Sequence, residues 1–382
     1  MNAPRAIVIV SPGGRSRGGG IGSVTRAIEA WLAEHAPGTR VLVVDPWGAR
    51  ARWLWPARLV VAGLALIWLR ASTGAEILHL HVSEGGSFLR KGLLLRLGRL
   101  LGMRVVLHHH GARIEPFVRG SEGPIRAFVA QTVRLADLNL VLGERTRRLL
   151  MEELAVPADK IAVLRNACAD RGLARRDARG GMRLLVPAAL SQRKGTEVVL
   201  AAIALLAERG MAASATLAGE GPQDVYRHLA GELGIGAQVH FAGWLAPERL
   251  LELHRRSDVL VLASRQEGMP MAIIEALAAG LPVIATPVGI IPETLRDGES
   301  ALLVPPGEPV ALADAMERLA RDPALALRLA RGGRQLYERT YDMDRYMRRL
   351  LALYGQLVAG VERTAESLPA GEARGDHQIG EQ

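Results

Sequence analysis

The chain has 382 residues, enough for two domains, and its 49% hydrophobic and 23% charged composition is that of a globular protein with an ample core. Its one cysteine, Cys168, excludes an internal disulfide framework and a cysteine-based zinc site. The net charge of +9 favours anionic partners, but aromatics at 4% and the lack of a reader motif argue against nucleic acid.

AIVIV (6–10) is predicted as the first strand, with no secretory leader before it, so a cytoplasmic setting is expected. The loop SPGGRSRGGGIGS follows, with Gly18, Gly19, Gly20 and Gly22, and then the helix SVTRAIEAWLAEH with Ser23 as its expected N-cap. RVLVVD (40–45) is the next strand. LVVAGLALIWL (59–69), closed by Arg58 and Arg70 and preceded by Pro56, falls short of the roughly 20 residues a spanning helix needs, so it reads as a core or interfacial helix. EILHLHV (76–82) is a strand. LRKGLLLRLGRLLGMR (89–104) sets Arg90, Lys91, Arg96, Arg99 and Arg104 among leucines with no acid. It reads either as a basic amphipathic helix on an anionic membrane surface or as an ordinary helix with a solvated basic face. MRVVLHHHG (103–111), LNLVLG (138–143) and KIAVLRNAC (160–168) complete the strands of this half.

The polar, aperiodic stretch ADRGLARRDARGGM (169–182) is the expected linker. Beyond it the strand–helix alternation restarts with RLLVPAAL and runs to ALLVPPG, as successive βα units of a second parallel sheet do. The expected fold is α/β: two Rossmann-like, doubly wound parallel-sheet domains, 1–172 and 182–345, facing a cleft. A helix at 346–362 is expected to pack back on the first domain, and the tail 363–382 to be disordered. The cleft at the carboxyl ends of both sheets is the default site.

RQEGMPMAIIEALAAGLPVIATPVG (265–289) raises the sharpest question, because Glu275 stands alone in an apolar helix. An ionised carboxylate there needs a partner. Vicinal hydroxyls of a ribose would serve, and so would a structural Arg or Lys; both readings stay open. Glu267 lies on the loop at the carboxyl end of the strand DVLVLAS, and the free N–H groups of Met271 and Ala272 make the helix start hospitable to an anion. Lys194, between a strand and a helix opening at Thr196, could hold a diphosphate and stabilise it on leaving. The glycine loop lacks the G-x-G-x-x-G spacing of a dinucleotide fingerprint, although Asp45 imitates its acid. His108, His109 and His110 suggest a metal, but neighbours on a strand point to opposite faces and do not chelate one ion together.

These motifs resemble family 4 glycosyltransferases, retaining enzymes of the GT-B fold. The likeness rests on EGMPMAIIE with its Glu-x7-Glu spacing, LSQRKGTEVVLAAIALL, LAGEGPQ, VHFAGWL and IAVLRNAC in the family's order. The resemblance implies that Glu275 binds a nucleotide ribose and that Glu267 faces the donor sugar. It places Gly268 and the amides of Met271 and Ala272 against sugar and diphosphate, and Gly20 and His110 at the donor. The family's usual Arg five residues before the lysine is Ala189 here, a departure for which Arg193 could substitute. His79 and His81 of HLHV, with SEGGSFLRKG, resemble exopolysaccharide members, polysaccharide mannosyltransferases above all. The resemblance thus implies transfer from GDP-mannose or a UDP-hexose to a polyprenyl-diphosphate-linked acceptor at the inner face of the cell membrane. The first domain would bind the acceptor and the second the nucleotide-sugar. His110, Lys194 and Glu267 would carry the chemistry, without a cofactor or metal. A catalytically weakened nucleotide-sugar-binding protein and a nucleotide-sugar epimerase are the alternatives.

Overall fold

The computed structural model describes residues 4–12, 19–46, 54–173 and 181–360. The tail 363–382, Gly18 and part of the predicted linker lie outside them. β1 (Ala6–Val10), β2 (Arg40–Val44), β3 (Ile77–Val82), β4 (Arg104–His109), β5 (Leu138–Val141) and β6 (Ile161–Val163) form a six-stranded sheet in the order β2-β1-β3-β4-β5-β6. β7 (Met182–Val186), β8 (Ala213–Leu217), β9 (Val239–Phe241), β10 (Val259–Leu262), β11 (Val283–Ala285) and β12 (Leu302–Leu303) form a second, in the order β12-β11-β10-β7-β8-β9. Every pairing in both sheets is parallel. Helices cover both faces, so the central strands are apolar along their length: AIVIV and VLVL are buried at every residue. Each sheet reverses its order beside its first strand, at β1/β3 and β7/β10, the place where doubly wound folds bind ligands.

The second half of the chain does not close on itself. After a π-helical turn at Tyr337–Tyr341, the C-terminal helix Met343–Ala359 returns to the first domain and packs on α1 (Gly20–His35). Trp31 Nε1 donates to Asp344 Oδ1 at 2.5 Å, and the Tyr354 hydroxyl meets His79 Nδ1 beneath the sheet. The Cys168 amide donates to the Tyr341 carbonyl at 3.2 Å. One continuous core therefore joins Ile7, Ile28 and Val106 of the first sheet's layer to Leu260, Leu277 and Leu350. Ser23 is not an N-cap: α1 opens a turn earlier at Gly20, with Gly19 in the cap position, and the Ser23 hydroxyl accepts from Arg26 at 3.3 Å.

The basic and the apolar helix of the first domain differ in what they expose. α3 (Gly86–Leu100) presents no basic stripe to solvent. Lys91 is 1% exposed, gives Nζ to Ser87 Oγ at 2.7 Å, and burial pushes its pKa down to about 7. Arg96 lies over the Phe128 ring and donates to Gln131 Oε1 at 2.7 Å; Arg99 pairs with Asp137 at 2.6 Å; Arg90 is half-buried. The leucine spacing of α3 predicted its apolar side, but a helix packed against a neighbouring helix turns its charges inward to whatever acids and aromatics lie there. By contrast α2 (Trp55–Thr73), longer than its apolar run implied, buries Ala62, Leu66 and Leu69 and leaves Val60, Val61, Leu64, Ile67 and Trp68 exposed. Among the described residues it is the one helix long and apolar enough to cross a membrane. Its inner stripe instead packs on β1, β2 and α3, so it lies along the domain surface with an apolar face outward.

Candidate active site

β10 delivers its carboxyl end to the cleft, and the loop 263–270 that follows is fixed by glycine-dependent stacking of backbones. Gly195 has φ 67°, and a Cβ there would lie 2.1 Å from the Ala263 carbonyl oxygen, so no other residue fits. Gly289, φ 63°, is held the same way against the Glu267 carbonyl. These contacts bring Lys194, on the 3-10 turn Gln192–Lys194, to Glu267: Nζ to Oε1 is 2.5 Å. Ser264 Oγ donates to the same oxygen at 2.6 Å, and Glu267 is 6% exposed. A buried carboxylate with a cation and a hydroxyl on one oxygen keeps the other for a further donor.

Helix Met271–Ala278 starts at this point, with Pro270 in the cap position and no side chain capping it. As its first two residues, Met271 and Ala272 have no intrahelical acceptor for their N–H groups. Residues of the first domain close on the same spot. A Cβ on Gly20 would stand 3.5 Å from Met271 Cγ, and one on Gly268 would stand 3.0 Å from the His110 carbonyl. Gly20, His110, Gly268 and Met271, predicted from separate motifs, are thus adjacent across the two domains. An open cleft of about 380 Å³ runs beside them, lined in part by Arg113, Arg145, Glu267, Gly268 and Pro287. Glu293 crosses it to accept the backbone N–H groups of Glu144 and Arg145 at 2.9 and 3.0 Å, capping the helix Glu144–Leu154 from the opposite domain.

His110 Nε2 lies 2.8 Å from His81 Nδ1. Burial, and after it the neighbouring His79, His109 and Lys91, pushes the His110 pKa down to about 3, so the ring is neutral at physiological pH. A neutral imidazole at a strand end offers a hydrogen bond without a charge.

Glu275 has a partner within the protein. Its Oε1 is 2.7 Å from Arg171 Nη2, and the residue is 8% exposed. Burial raises its pKa while Arg171 opposes the rise. A structural cation, one of the two partners the sequence left open, is therefore present, and it comes from the segment read only as linker. Next to it Asp170 takes a two-pronged ion pair from Arg334, both contacts at 2.7 Å. Arg171 carried no motif; only a positive charge in an otherwise featureless stretch could have flagged it. Arg193 is exposed and donates to the Gln266 carbonyl at 3.2 Å, and Ala189 is exposed as well. The histidines also depart from expectation. His108 and His109 do point to opposite faces, yet the parallel register sets His81 beside His108, so His79, His81 and His108 meet on one face.

Residues 179–336 match the family Glycosyl transferases group 1. The chain is 26% identical to the alpha-D-kanosaminyltransferase of Streptomyces kanamyceticus over 76% of its own length and 79% of that protein. It is 31% identical to the D-inositol 3-phosphate glycosyltransferase of Corynebacterium glutamicum over 44% of its length, but spans only 41% of that relative. Among solved structures, the sucrose-phosphate synthase of Thermosynechococcus elongatus superposes with a TM-score of 0.79 over 93% of this chain and 100% of that one, at 22% identity. The Anabaena protein HepE in complex with UDP-glucose superposes with a TM-score of 0.69 over 92% and 99%, at 16% identity. Residues 179–336, which carry Lys194, Glu267 and Glu275, are thus similar to the Glycosyl transferases group 1 family, and the two parallel-sheet domains share the GT-B fold of these solved structures.

Proposed function

We propose that the protein is a retaining glycosyltransferase of the family 4 kind, moving a hexose from GDP-mannose or a UDP-hexose to a lipid-linked saccharide in polysaccharide assembly. The observation that carries this reading is the Lys194–Glu267 pair beside the open N-terminus of helix Met271–Ala278, with Gly20 and His110 of the first domain closing over it. In the proposed mechanism the donor diphosphate lies on the Met271 and Ala272 amides and on Lys194, which neutralise charge as the bond to the sugar breaks. The departing phosphate oxygen takes the acceptor's hydroxyl proton on the same face. Glu267 holds sugar hydroxyls with its free oxygen, and neutral His110 hydrogen-bonds the sugar from the other wall. No residue here is required as a nucleophile, and no metal is assigned to the diphosphate. The HepE complex with UDP-glucose on the same fold supports a nucleotide-sugar donor.

The acceptor and the inner membrane face are argued from α2. The outward residues Val60, Val61, Leu64, Ile67 and Trp68 make a stripe at helical spacing, with Trp55 exposed at one end. Arg50, Arg52 and Arg58 precede the stripe, and the chain carries a net charge of +9. Apolar side chains with an aromatic and basic flank suit an anionic bilayer surface. Replacing Leu64 and Trp68 together by Glu is expected to cost roughly 3 kcal/mol or more of apolar burial in lipid, so the protein should no longer sediment with phosphatidylglycerol vesicles. Arg96→Gln/Arg99→Gln should sediment as the parent does. Equal sedimentation of both variants would remove α2 as the contact.

Incubation with radiolabelled UDP- and GDP-sugars and a bacterial lipid extract tests the activity, with label expected in the lipid fraction from one donor class. Nucleotide binding with neither transfer nor hydrolysis would favour a binding protein, and an isomerised free donor would favour an epimerase.

A further inference from the structure

We propose that His79, His81 and His108 form a buried transition-metal site, zinc by the chemistry of its ligands, that fastens β3 to β4 beneath the C-terminal helix. The three residues are each 0% exposed, and one ring nitrogen of each lies within 4.8 Å of those of the others. They come together because His79 and His81, two apart on β3, share a face, and the parallel register places His108 of β4 beside His81.

The ring spacing fits a common ion. Ring centres are 4.5 Å apart for His79 and His81, and 5.3 Å for His79 with His108 and for His81 with His108. Three imidazoles around one tetrahedral zinc at about 2.0–2.1 Å stand with their centres roughly 5 Å apart. Two polar atoms also want a partner: Nε2 of His81 and Nε2 of His108 are fully buried and accept or donate nothing. An unmade bond at such an atom costs about 1–3 kcal/mol, and one ion answers both. The far nitrogens of His79 and His81 are held as those of metal-bound histidines usually are. His79 Nδ1 meets the Tyr354 hydroxyl, and His81 Nδ1 meets His110 Nε2 at 2.8 Å. The 3.2 Å contact between His79 Nε2 and His108 Nδ1 is the one bond that binding would replace.

Burial lowers the pKa of all three rings, that of His79 to about 3. Asp and Glu are absent from the cluster, and an all-imidazole set favours zinc, copper, iron or nickel over magnesium or calcium. The role is structural and separate from the diphosphate: the ion would fix β4, the strand that leads into His110.

Cobalt(II) titration of the chelator-stripped, untagged full chain is the test. One equivalent should bind with the visible bands of tetrahedral cobalt, zinc should displace it, and zinc should raise the thermal midpoint. His81→Gln/His108→Gln should lose the bands. His109→Gln should keep them, since that ring faces away and pairs with Asn139 at 3.1 Å. Tyr354→Phe should bind roughly 10–100-fold more weakly. Absence of tetrahedral bands in the parent, or their survival in the double variant, would overturn the site. Should the double variant not fold, X-ray absorption of the parent's zinc form decides: imidazole nitrogens support the site and an all-oxygen shell overturns it.

Discussion

Lys194→Ala is expected to lower kcat by roughly 10²–10³-fold while changing the donor KM several-fold at most. The asymmetry follows from where the charge develops. In the ground state the ammonium is already paired with Glu267 at 2.5 Å, so a bound donor gains only part of its attraction. As the sugar–phosphate bond breaks, negative charge grows on the diphosphate and the lysine is drawn to it, an interaction made mostly in the transition state. The variant will also lose stability, because it leaves a 6%-exposed carboxylate with only the Ser264 hydroxyl for company. Lys194→Ala/Glu267→Ala therefore serves as the control. It should recover the thermal midpoint and be at least as slow as the single variant. Recovery of turnover along with stability would make Lys194 a structural counter-ion and nothing more, and an unchanged kcat in Lys194→Ala would remove it from the mechanism.

Lys194 and Glu267 were legible in the sequence because each sits where strand periodicity breaks into a glycine-bearing loop. Such breaks mark the carboxyl ends of parallel strands, and the GT-B fold then puts both in one cleft. Gly195 shows why the signal is so local: its φ of 67° and the contact with Ala263 are set within a few residues of the lysine and leave no choice of side chain. What could not be read were pairings that tertiary structure alone creates. Arg171 and Glu275 are 104 positions apart, and Asp170 and Arg334 are 164. Nothing in a polar stretch between two domains says which acid it will meet. The pairing of the α3 arginines was hidden for a related reason: an absence of acids within one helix says nothing of Asp137, 38 positions from Arg99 and just before β5. The histidine cluster stayed hidden for a third. Alternation along β4 was read correctly, but a ligand set is built across strands, and the register between β3 and β4 is not written in either strand.

Arg171 and Glu275 give the second large effect, one that separates a ribose acceptor from a linker clasp. Glu275→Ala is expected to weaken nucleotide-sugar binding by about 1–3 kcal/mol if the donor ribose displaces Arg171 from the carboxylate; an unchanged Kd with a lowered thermal midpoint would leave Glu275 as a clasp for the linker alone. Arg171→Ala tests the same pair from the other side. Removing the cation should cost on the order of 3 kcal/mol at neutral pH, and the loss should depend on pH in a defined direction. Burial holds the Glu275 carboxyl above the usual range even with Arg171 present, and the variant deletes the main influence opposing that rise. A carboxyl whose pKa is raised on folding stabilises the fold while protonated, and that contribution is lost as pH climbs past the unfolded value near 4.3 toward the folded one. The midpoint of Arg171→Ala should thus approach that of the parent at low pH and fall away from it as the solution is neutralised. Arg171→Ala/Glu275→Gln, with no proton to lose, should show no such divergence. A gap between Arg171→Ala and the parent that stays constant from acid to neutral pH would mean that Arg171 holds the linker by packing and not by charge.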